Sequence, residues 1–294
     1  MSDLRRVKLS TGVTLNVALA GDPASPAVIL LHGFPESHRT WREVAPHLSD
    51  LFFLVMPDQR GFGASDRPTD VAAYQTDLLI DDIFALAEAL GLGEFALVGH
   101  DWGGAISWPA ALRGDPRLTR LGIVNAPHPL NFQVSLVTES DQRAASQYIT
   151  AFRSPGFEKA VEAMGFETFF EKSFSNHVDL DLIPDEERWQ YIDDWSRPGA
   201  MTAMLNWYRA SKIVVPAPGE GIKLPDWTLA PFPPIKIPTL VIWGMKDKAL
   251  LPVQLDGLEM YVDDLTVVRV PEAGHFVPWE APFAVGDALR DFLA

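Results

Sequence analysis

A short apolar run at residues 95–98 stops at Gly99. His100, Asp101, Trp102, Gly103 and Gly104 follow, ahead of a helix-compatible stretch at 105–113. This order predicts a buried strand, a very tight turn and a helix. Such a turn needs glycines on both sides, because its apex residue is strained and its neighbours approach closely. Whatever occupies the apex is held at the carboxyl end of a strand and aimed outward. Here it is a carboxylate, Asp101. An aspartate ahead of a helix also makes an ordinary N-terminal cap. The turn by itself leaves Asp101 divided between a reactive group and a cap.

The rest of the chain supplies a frame for that turn. Continuous apolar runs at 26–31, 52–56, 121–124, 239–243 and 266–270 read as strands, and alternation at 13–19 after Thr11-Gly12 suggests an N-terminal hairpin. Runs apolar on both faces, separated by helix-length segments, imply a mostly parallel sheet flanked by helices, an α/β fold. Helical patterns fall at 40–48, 76–90, 105–113 and 281–293, with Pro282 suited to the first turn of the last. Pro109 is expected to kink the third, since it removes a backbone donor. The strand rhythm stops after Asn125. The stretch from 131 to 227 reads as helical and aromatic, with helices expected at 158–174 and 185–195, and a Pro-rich return precedes the next strand. We therefore expect a core of residues 1–130 and 228–294 carrying a helical cap at 131–227.

The length of 294 residues and 47 % apolar content allow a sizeable core, and the net charge of −15 disfavours nucleic acid and anionic membrane surfaces as partners. There are no cysteines, so thiol chemistry is excluded. The first ten residues are mostly polar and charged with no apolar signal-peptide core, and no apolar run reaches membrane-spanning length. These features lead us to expect a cytoplasmic protein, a monomer or homodimer. The seven histidines show no metal-ligand spacing, Gly61-Phe-Gly63 lacks the third glycine of a dinucleotide fingerprint, and no phosphate loop occurs. Neither a metal nor a cofactor is expected.

The motifs His32-Gly-Phe-Pro35, Asp58-Gln-Arg-Gly-Phe-Gly-Ala-Ser65, Gly99-His-Asp-Trp-Gly-Gly104, Trp243-Gly-Met-Lys-Asp247 and Ala273-Gly-His275 together resemble the α/β-hydrolase fold epoxide hydrolases. They resemble the haloalkane dehalogenases somewhat less. Esterases and peptidases of this fold place Ser where this chain has Asp101. The resemblance implies that Asp101 is a nucleophile forming a covalent ester, that His275 activates water against it, and that Asp247 orients His275. Nucleophile, acid and histidine come in the order this fold uses. Asn125 sits where some dehalogenases keep their acid. It cannot serve as a carboxylate, and its exchange for Asp is expected to be tolerated. The resemblance assigns the oxyanion donors to the backbone of Phe34 and Trp102, with a cis bond before Pro35.

Opening an epoxide requires a donor to the departing oxygen, and a phenol is suitable. Of five tyrosines, Tyr148 and Tyr208 lie in the expected cap, and Leu205-Asn-Trp-Tyr-Arg209 matches the family's second tyrosine motif. Tyr191 has no motif around it and reads as packing. Phe34, Trp102, Phe152 and Trp207 are the expected substrate-contacting aromatics. The resemblance thus implies conversion of a small-molecule epoxide and water to a vicinal diol. A dehalogenase with the same triad and a non-catalytic ligand receptor are the alternatives.

Overall fold

The computed structural model describes residues 3–221 and 223–294. The apolar runs form eight strands: β1 (Asp3–Lys8), β2 (Thr14–Ala20), β3 (Ala27–Leu31), β4 (Phe53–Pro57), β5 (Phe95–His100), β6 (Leu118–Val124), β7 (Thr239–Gly244) and β8 (Leu265–Val270). They make one sheet in the order β1-β2-β4-β3-β5-β6-β7-β8. The expected hairpin pairs β1 with β2, β2 runs antiparallel to β4, and every pairing from β4 to β8 is parallel. Along β3, Ile29 and Leu31 join one apolar cluster while Val28 and Leu30 join the other. The period-two alternation of a strand thus feeds two cores, which is why these runs are apolar throughout.

Helices α1 (Thr76–Ala89) and α2 (Trp102–Leu112) send Leu79, Ile83 and Ile106 into the first cluster. Between β6 and β7 the described residues form α3 (Pro129–Thr138), α4 (Ser140–Ala145), α5 (Gln147–Arg153), α6 (Phe157–Met164), α7 (Phe166–Phe174), α8 (Asp185–Ser196) and α9 (Ala200–Ala210), and no strand. After β8 come α10 (Val277–Glu280) and α11 (Pro282–Leu293), which packs Val285 and Leu289 into the second cluster. The helical insertion is tied to the loops below it by two indoles. Trp195 Nε1 donates to the Pro35 carbonyl at 2.7 Å and Trp207 Nε1 to the Arg60 carbonyl at 2.9 Å.

Three local expectations differ from what is found. Residues 40–48 are not one helix but lie in two 3-10 turns, His38–Trp41 and Ala45–His47. Pro46 lacks the N–H that an α-helix would aim at the carbonyl of Arg42. The helix expected at 158–174 is broken at Gly165, whose φ of +87° ends α6 and opens α7. Helix α2 starts at Trp102, three residues early, because the Ala105 amide already bonds the Asp101 carbonyl at 2.8 Å. It runs through Pro109 to Leu112.

The tight turn depends on missing side chains. A Cβ on Gly99 would strike the Gly103 backbone, and one on Gly103 would strike the Leu31 carbonyl and approach within 2.7 Å of the His32 oxygen. Strand end and helix start are therefore in backbone contact. Gly103→Ala is expected to destabilise by about 1–3 kcal/mol, as overpacking does. Gly93→Ala, where a Cβ meets nothing within 4 Å, should stay within about 0.5 kcal/mol of wild type. Denaturant unfolding of both variants checks the contrast.

Candidate active site

Asp101 occupies the turn apex at φ 50°, ψ −117°, a strained conformation for any residue but glycine. Its side chain makes no capping bond to α2. Instead Oδ1 accepts from the Phe34 amide at 2.7 Å, which removes the cap reading. Phe34 follows β3, and the Phe34–Pro35 bond is cis. Gly33 is required beside it, since a Cβ there would collide with the Asp101 carboxylate. The Trp102 amide opens α2 and so has no intrahelical acceptor.

His275 lies in the segment after β8. Its Nδ1 donates to Asp247 Oδ2 at 2.8 Å, and its Nε2 stands 3.6 Å from Asp101 Oδ2, a charge contact longer than a hydrogen bond. Asp247 follows β7 and is fixed through both oxygens. Oδ1 accepts from the Ala249 and Leu250 amides at 2.8 and 2.9 Å, and Oδ2 accepts from His275 and from Asn125 Nδ2 at 2.7 Å. Four strand ends, β3, β5, β7 and β8, thus deliver Phe34, Asp101, Asp247 and His275 to one place, the carboxyl edge where open α/β sheets bind ligands.

Residues that sequence reasoning did not assign a part hold this arrangement. Asn125, buried at φ 41°, bridges Asp247 to β7 by also accepting from the Gly244 amide at 2.8 Å. Its amide donates to the carboxylate. An aspartate there would set two carboxylates against each other, so the expected tolerance of Asn125→Asp is withdrawn. His100, next to Asp101, donates Nε2–H to the His275 carbonyl at 2.8 Å, and its Nδ1 lies 3.1 Å from Glu36, both side chains fully buried. The one signal in sequence was that both are polar groups inside apolar motifs.

Burial opposes charge at every triad member, but the neighbours outweigh it. For His275, burial lowers the pKa, while the Asp247 charge and the proximity of Asp101 raise it well above 6.5. For Asp101 and Asp247, burial raises the pKa, while His275 and the Phe34, Leu250 and Asn125 donors bring each below its ordinary value. These directions favour a carboxylate, an imidazolium and a carboxylate in a row.

A cavity of about 420 Å³ opens over Asp101. Its floor and one wall are Asp101, Trp102, Ala105, Ile106 and Pro109; the insertion contributes Phe132, Tyr148, Ile149, Arg153 and Tyr208. Tyr148 and Tyr208, far apart in sequence, face this one space with ring centroids 6.2 Å apart. Trp102 lines the cavity, but Phe34, Phe152 and Trp207 do not. Phe34 and Phe152 pack against the Tyr208 ring at 5.1 and 5.0 Å, and Trp207 points its indole at Arg60. Tyr191 is buried away from the cavity against Phe174, Trp195 and Trp279. Among the described residues no cluster of His, Asp and Glu is placed to hold a metal ion, and no helix is long and apolar enough to cross a membrane.

With this sheet and turn, the chain belongs to the alpha/beta hydrolase family, whose fold matches residues 26–282. Its relatives within that family narrow the comparison. A structure described as novel epoxide hydrolases of the alpha/beta hydrolase superfamily, from metagenomes of hot environments, superposes with a TM-score of 0.93 at 49 % identity, covering 100 % of this chain and 99 % of the other. The Bacillus megaterium epoxide hydrolase, solved with an inhibitor, gives a TM-score of 0.87 at 30 % identity over 99 % of both chains. Epoxide hydrolase 3 of Xenopus tropicalis is 30 % identical over 96 % of this chain and 75 % of its own length.

The charge row has a thermodynamic signature. Folding raises the His275 pKa above its unfolded value near 6.5. Its contribution to stability is therefore complete below that pH and fades as pH rises through the folded value. Asp101 and Asp247 are lowered, so theirs is complete above about pH 4 and fades on acidification. The wild-type thermal midpoint should decline toward alkaline pH with a slope that His275→Gln flattens. Calorimetry giving equal alkaline slopes for both proteins would contradict this assignment.

Proposed function

We propose that the protein is a cofactor-independent epoxide hydrolase that converts a small-molecule epoxide and water to a vicinal diol, with residues 131–227 acting as its cap. One observation carries the reading: two phenols from different helices line the same cavity as the Asp101 carboxylate. Burial pushes both phenols above their ordinary pKa, and the Asp101 charge adds to this, so they are protonated donors at neutral pH. A haloalkane dehalogenase has no leaving oxygen to protonate, so the tyrosine pair favours an epoxide.

The reaction then runs in two stages, formation of an ester and its hydrolysis. Asp101 Oδ1 is engaged by the Phe34 amide, leaving Oδ2 to attack an epoxide carbon. As the C–O bond breaks, the ring oxygen takes a proton from Tyr148 or Tyr208 and a phenolate remains. Ester formation cancels the Asp101 charge. His275 then keeps one carboxylate neighbour where it had two, so its proton is released more readily, and the phenolate is the matching acceptor. Neutral His275 takes a proton from water, which attacks the Asp101 carboxyl carbon. The tetrahedral oxyanion forms on Oδ1, against the amides of Phe34 and Trp102. Collapse expels the diol with the former Oδ2, and the His275 proton completes it.

Substitutions at four positions test the steps. Tyr208→Phe should lower epoxide turnover about 10²-fold, the size of losing one donor to a developing oxyanion, with Tyr148→Phe similar and the double variant nearly inactive. Unchanged turnover in the double variant, measured by diol formation, would put the dehalogenase alternative ahead. Asp247→Asn should cost about 10⁴-fold by favouring the wrong imidazole tautomer. His275→Gln should alkylate without hydrolysing, so intact-protein mass should show an ester that peptide mapping places on Asp101. In heavy-oxygen water with excess wild-type enzyme, label should enter Asp101 and not the first diol. Label in that first diol, with no adduct on His275→Gln, would exclude Asp101 as the nucleophile.

A further inference from the structure

The two phenols that meet one substrate oxygen stand on separate helices, Tyr148 on α5 and Tyr208 on α9. Helix α5 has only seven residues, too short to hold its place by its own hydrogen bonds. Its last residue is Arg153, which also lines the cavity. The Arg153 guanidinium reaches across to the end of α9. Nε donates to the Tyr208 carbonyl at 2.8 Å, Nη1 to the Ile213 carbonyl at 2.8 Å and Nη2 to the Ser211 carbonyl at 3.3 Å. The end of a helix exposes carbonyls without intrahelical donors, and a planar fork of five N–H groups is suited to collect them.

From this geometry, and resting on the epoxide hydrolase reading above, we infer that Arg153 is a positioning residue for ring opening: it locks the Tyr208 helix to the Tyr148 helix through the carbonyls of Tyr208, Ser211 and Ile213. Its electrostatic sense agrees. Burial and the Asp101 charge raise the Tyr208 phenol, and Arg153 acts in the opposite direction. No atom of Arg153 reacts; the proton still passes from phenol to ring oxygen and returns from His275.

A matched control lies in the same insertion. Arg143 likewise binds three carbonyls, those of Leu136, Val137 and Glu220, none of them in α5 or α9. Replacing it removes a comparable set of bonds without touching the tyrosine pair.

The test uses the full chain, styrene oxide as probe and single-turnover fluorescence to separate alkylation of Asp101 from hydrolysis of the ester. Arg153→Met should slow alkylation about 10- to 100-fold, the scale of a small misplacement of a catalytic group, with ester hydrolysis within about twofold of wild type. Arg153→Lys keeps the charge without the fork and should recover part of the alkylation rate. Arg143→Met should leave the ratio of the two steps within about twofold. Combined with Tyr208→Phe, Arg153→Met should cost far less than it does alone, because both act on one donor. Wild-type alkylation in Arg153→Met, or equal slowing of both steps, would overturn the inference. Where Arg153→Met does not fold, slowed alkylation with normal hydrolysis in Arg153→Lys supports it and any other pattern overturns it. A wild type that forms no ester with styrene oxide or with aliphatic epoxides would overturn the epoxide reading itself, and this inference with it.

Discussion

The backbone contact between Gly99 and Gly103 is the constraint on which the site depends. It lets β5 turn directly into α2 with one residue at the apex, and that residue is forced to a positive φ. Gly33 completes the clearance from the side of β3. Three absent side chains place the Asp101 carboxylate within 2.7 Å of the Phe34 amide. The strain at Asp101 is sustained by the sheet on both sides of β5, which is buried along its whole length.

Charge organises the next layer. A lone carboxylate at Asp101 would be disfavoured by burial, and so would a lone imidazolium at His275; each is stabilised because the other is there, with Asp247 as the third member. The row has an internal asymmetry. Asp247 is held through four hydrogen bonds, whereas Asp101 meets His275 at 3.6 Å. The firm end fixes the orientation of His275, and the looser contact leaves Asp101 Oδ2 without a hydrogen bond to it.

Most of the sheet was legible because strands buried on both faces are unbroken apolar runs, and those at 95–98 and 239–243 needed no other cue. The short helical elements were not. Pro46 and Gly165 interrupt patterns whose apolar spacing alone reads as continuous helix. At the site, the motifs single out Asp101, Asp247, His275, Tyr148 and Tyr208 as candidates; the structure sets the first three in one row and the two tyrosines on the cavity that Asp101 lines. The roles of Asn125, His100 and Arg153 were hidden, since each works through a contact with a residue distant in sequence. The aromatics were the least readable. Phe34, Phe152 and Trp207 carry the same composition signal as Trp102, yet they stand behind the cavity wall while Trp102 forms it. Which side of a wall a ring occupies is decided by helix rotation for Phe152 and Trp207 and by the path of the loop after β3 for Phe34, which a residue list does not encode.

The two indole bonds from the insertion, Trp195 to Pro35 and Trp207 to Arg60, bear on how molecules come and go. Both acceptors belong to loops that leave β3 and β4, and both donors are buried. Lifting the insertion as a rigid body would break both at once, and each buried partner left unmet costs about 1–3 kcal/mol. Openings confined to the cavity rim would leave both anchors closed, and breathing of that kind draws on the least stable segments of a protein.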